Sequence, residues 1–447
     1  MHLDGDRKGG ERGFMPRRFT LLATLLCSSC IGFGAMSDAK LSRLDAFDFY
    51  WQHLADNYPF FGKELVDWSA MRQQYRSAVP FAERPHEFHH LLCGMLSELG
   101  DAHVSYQTPT DLMIENGTKA TSLLDRHGFE LMRIDGELHV IGWPSGEAPE
   151  LPQGLPHHAR FPELWRVGGF HVVSSLVGNL MLGPPDSEVE LQLRWDDDVV
   201  TRHVVHRPAK GTKVLGSLLR RILPAVAQSA AYDDRKSYMH LVVNTLASEL
   251  PLDAIDKWID AALLKDGLVI DFRRNLGGNM DIGRRFLGRF ISKPTNLIFA
   301  IRDESTTGGL VTVERFAGVP IEPRGKRYDK PIVVLTSSMT ASMAEHTARI
   351  LQRECGAIII GERTSGAEAG LVRIDGPEGG RVSYGETRLV DRTGVGLQVE
   401  GVVPDISIRV TQQNVAAFGP DRALTDWDER MFEAAERVIR NANAARK

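Results

Sequence analysis

Two short stretches of this chain restrict what it can fold into more than anything else in it. One is Leu268–Asn279, LVIDFRRNLGGN, and the other is Pro331–His346, PIVVLTSSMTASMAEH. Each opens as a compact run of Val, Ile and Leu, as a strand buried on both faces requires. Each then breaks into a small or polar turn and enters a helical pattern. In the first turn Gly277 and Gly278 carry no side chains, which lets a backbone N–H point into an open site. In the second, Ser342 falls where the strand gives way to a helix, near free N–H groups and a positive dipole end. A serine hydroxyl beside donor backbone is the equipment of acyl transfer.

From Lys236 onward strands and helices alternate, which predicts an α/β layered core with a largely parallel sheet. Before it, Leu44, Phe47, Tyr50 and Trp51, then Phe88, Leu91, Leu92, Met95 and Leu99, recur at helical spacing. Between these regions, short alternating runs such as GELHVIGW, VELQLRW and VTRHVVHR predict a β-rich domain. The expected order is a signal segment over 1–39, a helical domain over 40–108, a β-rich domain over 109–235, an α/β core over 236–411 and a C-terminal helix over 412–447.

The N-terminal segment reads as an export signal. Arg17 and Arg18 precede an apolar run, Phe19–Phe33, followed by small residues through Ala39. The run is too short for a membrane span, so none is expected in the mature chain. Met15 is an alternative start. Cys27 and Cys30 lie within the segment, but their flanks make a poor lipid-attachment site. A periplasmic or secreted location follows, with a lipid anchor as the lesser alternative. A net charge of −5 gives no electrostatic reason to expect nucleic acid as a partner. Without the signal only Cys93 and Cys355 remain, in mostly apolar helical surroundings where a lone cysteine acts as a small hydrophobe.

LVIDFRRNLGG resembles the hydrophobic-D-L-R-x-N-x-G-G segment of the tail-specific (C-terminal processing) serine proteases and the tricorn protease core. TASMAE is similar to their T-A-S-A-x-E box, AIIIGERTSG (357–366) to their G-x-x-T-x-G turn, and GVVPDISI (401–408) to their G-V-x-P-D motif. The resemblance spans about residues 236–410. LSELGDAH (96–103) is similar to the L-x-D-x-H signature that ends their helical domain, and FPELWRVGGFHV resembles a segment of their PDZ-like module. The resemblance implies a crotonase-like (ClpP/crotonase) protease core, preceded by a small helical domain and a β-rich domain that is PDZ-like by position. It also implies a serine peptidase without a cofactor, acting on peptides or unfolded proteins, and says nothing of oligomeric state.

Site residues carry over with one departure. Ser342 takes the nucleophile position, ahead of its neighbours Ser337, Ser338 and Thr340, and the amides of Gly277 and Met343 are the implied oxyanion donors. In the tail-specific branch the base is a lysine directly after the G-x-x-T-x-G turn. Here that residue is Ala367, and no lysine occurs between Lys330 and Lys447. The tricorn branch uses a histidine of the helical domain, and His103 of GDAH occupies its position. A neutral imidazole suits proton abstraction from serine. For the group that orients it, alignment puts Gln398 at the family's glutamate, with Glu400 on the same strand face; only Glu400 carries a charge. His240 and His346 are rival bases, His346 lying one turn beyond the serine.

Two other readings use the same residues. A binding protein on this fold would show such a missing lysine, whereas an acyl-CoA enzyme of the crotonase type fits poorly with an export signal. HEFHH (86–90) matches the zinc pattern H-E-x-x-H, but its histidines fall opposite the apolar stripe and lack a third ligand at the extended spacing. No metal is expected.

Overall fold

Both Val/Ile-rich runs become central strands, because every residue in them has a hydrophobic layer to meet. The computed structural model describes residues 38–107 (except 62–65, 83–84 and 102), short pieces between 109 and 205, and residues 229–446 with breaks at 296–298, 305–311, 318–319, 368–369, 391–395, 397–399 and at points between 412 and 419. Most of the signal segment (1–37), the motif FPELWRVGGFHV and Gln398 lie outside the described residues.

The chain begins with helices α1 (Asp38–Asn57), α2 (Trp68–Ala78) and α3 (Pro85–Ser97), then strand β1 (Ser105–Gln107). Seven short strands follow: β2 (Thr121–Ser122), β3 (Glu130–Ile134), β4 (Glu137–Gly142), β5 (Ala159–Arg160), β6 (Leu182–Gly183), β7 (Glu188–Trp195) and β8 (Asp198–Val205). β3, β4, β5, β7 and β8 make an antiparallel sheet in that order, and β2 pairs with β6. The β-rich character expected of this region is therefore present.

The core contains β9 (Ala230–Asp234), β10 (Tyr238–Val243), α4 (Leu252–Ala262), β11 (Gly267–Asp271), α5 (Met280–Leu287), β12 (Phe299–Glu304) and β13 (Thr312–Ala317). It continues through β14 (Ile332–Thr336), α6 (Met343–Cys355), β15 (Ile358–Gly361), β16 (Gly370–Asp375), β17 (Arg381–Val390), β18 (Ile406–Ser407) and α7 (Pro420–Ala445). Its main sheet runs β18-β15-β14-β11-β10-β9, parallel except for the antiparallel edge strand β9. Side chains alternate across it. Leu268, Ile270, Ile332, Val334 and Ile359 pack with α4, α5 and α6. Val269, Val333, Leu335 and Ile360 pack on Met431, Ala434, Ala435 and Ile439 of α7. Each such fully buried aliphatic contributes about 1.5–3 kcal/mol, which is why these strands read as unbroken apolar runs. Helices thus cover both faces of a parallel sheet, the layered α/β fold the sequence predicts.

A second sheet, β1-β17-β12-β13 with β16 on β17, joins the helical region to the core. Ser105 pairs with Ser383 and Tyr106 with Val382. Val382 and Tyr384 also enter the cluster built from Phe47, Tyr50, Leu54, Phe88 and Leu92 of α1 and α3. The helices are therefore anchored by shared core as well as by strand pairing. No helix among the described residues is long and apolar enough to cross a membrane.

Candidate active site

The loops after β11 and β14 leave the carboxyl ends of adjacent parallel strands, so the sheet register brings their motifs together. Asn275 fixes the first loop. It is fully buried; its N–H donates to Phe272 O (2.9 Å), its Nδ2 to Val243 O (2.9 Å), and its carbonyl accepts from Ala341 N (3.0 Å). Gly277 then turns with φ +99°. A Cβ added there would sit 2.6 Å from Ser342 Cβ and 2.7 Å from Ala341 O, so only glycine lets this backbone reach the serine.

Ser342 is the N-cap of α6 and adopts φ 55°, ψ −127°. This conformation is strained for a residue with a side chain, by about 1–3 kcal/mol. Between buried Ala341 and Met343, Ser342 alone is partly exposed. Its rivals are committed elsewhere. Ser337 Oγ donates to Arg273 O, Ser338 Oγ to Glu362, and Thr340 Oγ1 to Phe272 O. Among the described residues Ser342 Oγ donates to no protein acceptor, so it remains available to a substrate.

The two expected oxyanion donors differ. Met343 N–H, the first of α6, has no acceptor among the described residues, as the free end of a helix dictates. Gly277 N–H is already used, donating to Asn275 Oδ1 at 2.8 Å. The next amide, Gly278 N–H, has no acceptor among the described residues, in a backbone at φ +147°.

The feature that sequence reasoning passed over is Glu345. Fully buried, it forms a capping box with Ser342 and accepts the serine's own N–H at 2.9 Å. It also accepts from Gly366 N (2.8 Å), Ala367 N (2.9 Å), Ser365 Oγ (3.1 Å) and Thr364 Oγ1. Burial pushes its carboxyl up to about 7 against the downward pull of the bonds from Thr364, Gly366, Ser342 and Ala367. The signal was present in the sequence as S-x-x-E at the start of a helix.

His103 is buried between α3 and β1, its backbone N–H held by Asp101 Oδ1 at 2.7 Å, and Asp101 also accepts from Tyr58 OH at 2.6 Å. Among the described residues no imidazole is hydrogen-bonded to Ser342 Oγ. His240 is engaged elsewhere: its Nε2 pairs with Asp271 Oδ2 at 3.2 Å and its ring meets Phe432 of α7. His346 is buried on α6. Glu400 is exposed, and its carbonyl accepts from Arg363 Nη1 at 3.2 Å. It leads into Gly401, at φ +62°, where a Cβ would lie 2.5 Å from Thr364 O. Val402 N–H then donates to Thr364 Oγ1 at 2.6 Å. His86 and His90 belong to α3, and their side chains lie outside the described residues.

Residues 253–408 match Peptidase family S41, and residues 40–97 match the Tricorn protease C1 domain. The core of this chain is similar to peptidase family S41. The chain is 24% identical, over 356 residues, to the chloroplastic carboxyl-terminal-processing peptidase 1 of Arabidopsis thaliana, an alignment covering 76% of this chain and 63% of that protein, so it spans less than two thirds of that relative's length. Crystal structures of mature CPAF share the fold. The lactacystin complex aligns with TM-score 0.61 and 14% identity over 91% of this chain and 100% of that one. Mature CPAF alone gives TM-score 0.61 and 15% identity over 91% and 99%. The four motifs that meet at Ser342 all lie inside, or at the edge of, the S41 match.

Proposed function

We propose that this chain is an exported serine peptidase that hydrolyses peptide bonds in peptides or unfolded proteins through Ser342. The observation that carries this reading is the serine itself. It is strained, partly exposed and free to donate, and it lies against Gly277 with the Met343 amide open beside it. Ser342 Oγ attacks the carbonyl carbon while His103 takes the hydroxyl proton. The Met343 amide and the Gly277–Gly278 turn receive the oxyanion, each donor contributing about 3 kcal/mol. Collapse breaks the C–N bond, and the imidazolium gives its proton to the leaving amine. Water then repeats the sequence on the acyl-enzyme and frees Ser342. Glu400 or Gln398 orients the imidazole. Residues 1–39 direct export.

A second reading, a ligand- or peptide-binding protein on this fold, has a specific observation behind it. Among the described residues no imidazole is bonded to Ser342 Oγ, and Asn275 occupies the Gly277 donor. The two separate in one assay, in which purified protein is incubated with an unfolded protein and new amino termini are counted. A peptidase releases them and His103→Ala reduces the rate by about 10²–10⁴-fold. Saturable binding of the polypeptide with no new termini would establish the binding protein instead. Full turnover in a folded His103→Ala variant would move the base elsewhere, with His346 next to be tested.

A further inference from the structure

The buried carboxylate of Glu345 has no part in the reaction just described, yet it touches two of the four motifs of the core directly and a third through Thr364. Ser342 N–H belongs to the serine box, while Thr364, Ser365, Gly366 and Ala367 belong to the turn after β15. Thr364 Oγ1, which donates to Glu345, accepts in turn from Val402 N–H of the closing motif, and Thr364 N–H donates to Val402 O at 3.1 Å. Ala367 completes the circuit by accepting Ser342 N–H at 2.7 Å. A carboxylate is suited to this place because it is acceptor-only and has about four lone-pair sites. The groups facing it are N–H and O–H donors.

From this geometry we infer that Glu345 is a positioning residue. It fastens the 364–367 turn and, through Thr364, the segment following Glu400 to the backbone of Ser342, and so holds the nucleophile in its strained conformation. The inference rests on the reading of Ser342 as the nucleophile, but its mechanical half does not. The clamp fixes the backbone whether or not the serine reacts. Because the turn stands where the tail-specific branch has its lysine, the clamp supplies by hydrogen bonding the fixed geometry that a Ser–Lys pair would otherwise impose.

Glu345→Gln tests it. The amide keeps the shape but turns one acceptor into a donor that faces donors, so at least two of the five bonds are lost. Hydrogen exchange at the Ser342, Gly366 and Ala367 amides is expected to accelerate at least tenfold, with exchange in β10, β11 and β14 unchanged. The kcat for peptide hydrolysis is expected to fall about 10–100-fold with KM within twofold, and Glu345→Asp to recover part of it. Ser365→Ala removes one donor only and is expected to lower kcat a few-fold, which keeps the test open should Glu345→Gln fail to fold. Unchanged amide exchange in a folded Glu345→Gln variant, or an unchanged kcat in both variants, would overturn the positioning role. Inactive wild type with accelerated exchange in the variant would instead retain the clamp and reject Ser342 as a nucleophile.

Discussion

Replacing Ser342 by alanine is expected to lower peptide hydrolysis by at least about 10³-fold while leaving the melting temperature within a few degrees of the parent. The first half follows from the role proposed for the hydroxyl. Without it no acyl-enzyme forms, and the donor backbone alone retains only residual catalysis. The second half follows from the structure. Ser342 Oγ donates to no protein acceptor among the described residues, so its loss removes only the capping-box bond it accepts from Glu345 N–H, about 1 kcal/mol. The backbone bonds that fix this position, Ser342 N–H to Glu345 and to Ala367, are unaffected by the substitution. Alanine also has the same Cβ as serine and meets the same conformational demand at φ 55°. Turnover assays and thermal denaturation of the purified variant check both halves together. A variant that hydrolyses peptides at the parental rate removes Ser342 from the mechanism.

A different effect is expected from Arg273→Ala, which should destabilise the fold by about 3–5 kcal/mol and lower the melting temperature by roughly 10 °C. Arg273 precedes the Gly-Gly turn in sequence. Its guanidinium holds Asp271 through Nε (2.9 Å) and Nη2 (2.6 Å), bonds Asp428 of α7, and lies 5.1 Å above the Trp427 ring. Burial by itself would raise Asp271, but the charge and hydrogen bonds of Arg273, with the bond from His240, hold its carboxyl well below the usual carboxylate range. Removing the guanidinium leaves the buried Asp271 charge with only the residue-273 backbone N–H (3.0 Å) and the His240 ring as partners and loosens α7 from the sheet. The sign of the pH dependence follows. A carboxyl whose folded pKa lies below its unfolded value of about 3.9 stabilises the fold above that pH, and the contribution is lost as pH falls through the folded value. The gap between parent and variant is therefore full at pH 7 and narrows in acid below about pH 4. Denaturation curves at both ends of that range would show it, and a variant as stable as the parent at pH 7 contradicts the account.

The fold was legible because its core strands are buried on both faces. Val269, Ile270, Val333 and Val334 have neighbours above and below, and that double burial writes an unbroken apolar run into the sequence. Ser342 was legible for a similar reason, since a strand end, a small-residue turn and a helix start leave few positions open. Glu345 was read past because a buried acid looks, in sequence, like any S-x-x-E cap; what distinguishes it is that the 364–367 turn, some 20 residues on, closes over it. The engagement of Gly277 N–H was equally hidden, because it depends on a side-chain rotamer of Asn275. Residue type alone can nominate a backbone donor, but it cannot show whether that donor is already taken. His103 shows both sides of this. Its burial two residues before β1 follows from the helical pattern and the strand pairing, whereas its role depends on distances between parts of the chain far apart in sequence.

The central claim is that Ser342 is a nucleophile activated within this fold, and a mass measurement reaches it most directly. Folded protein treated with a fluorophosphonate probe is expected to gain one adduct per chain, mapped by peptide sequencing to Ser342. The adduct should be absent after denaturation before labelling, and strongly slowed by His103→Ala. No adduct on the folded chain, or an adduct on Ser337 or Ser338 instead, would contradict the account.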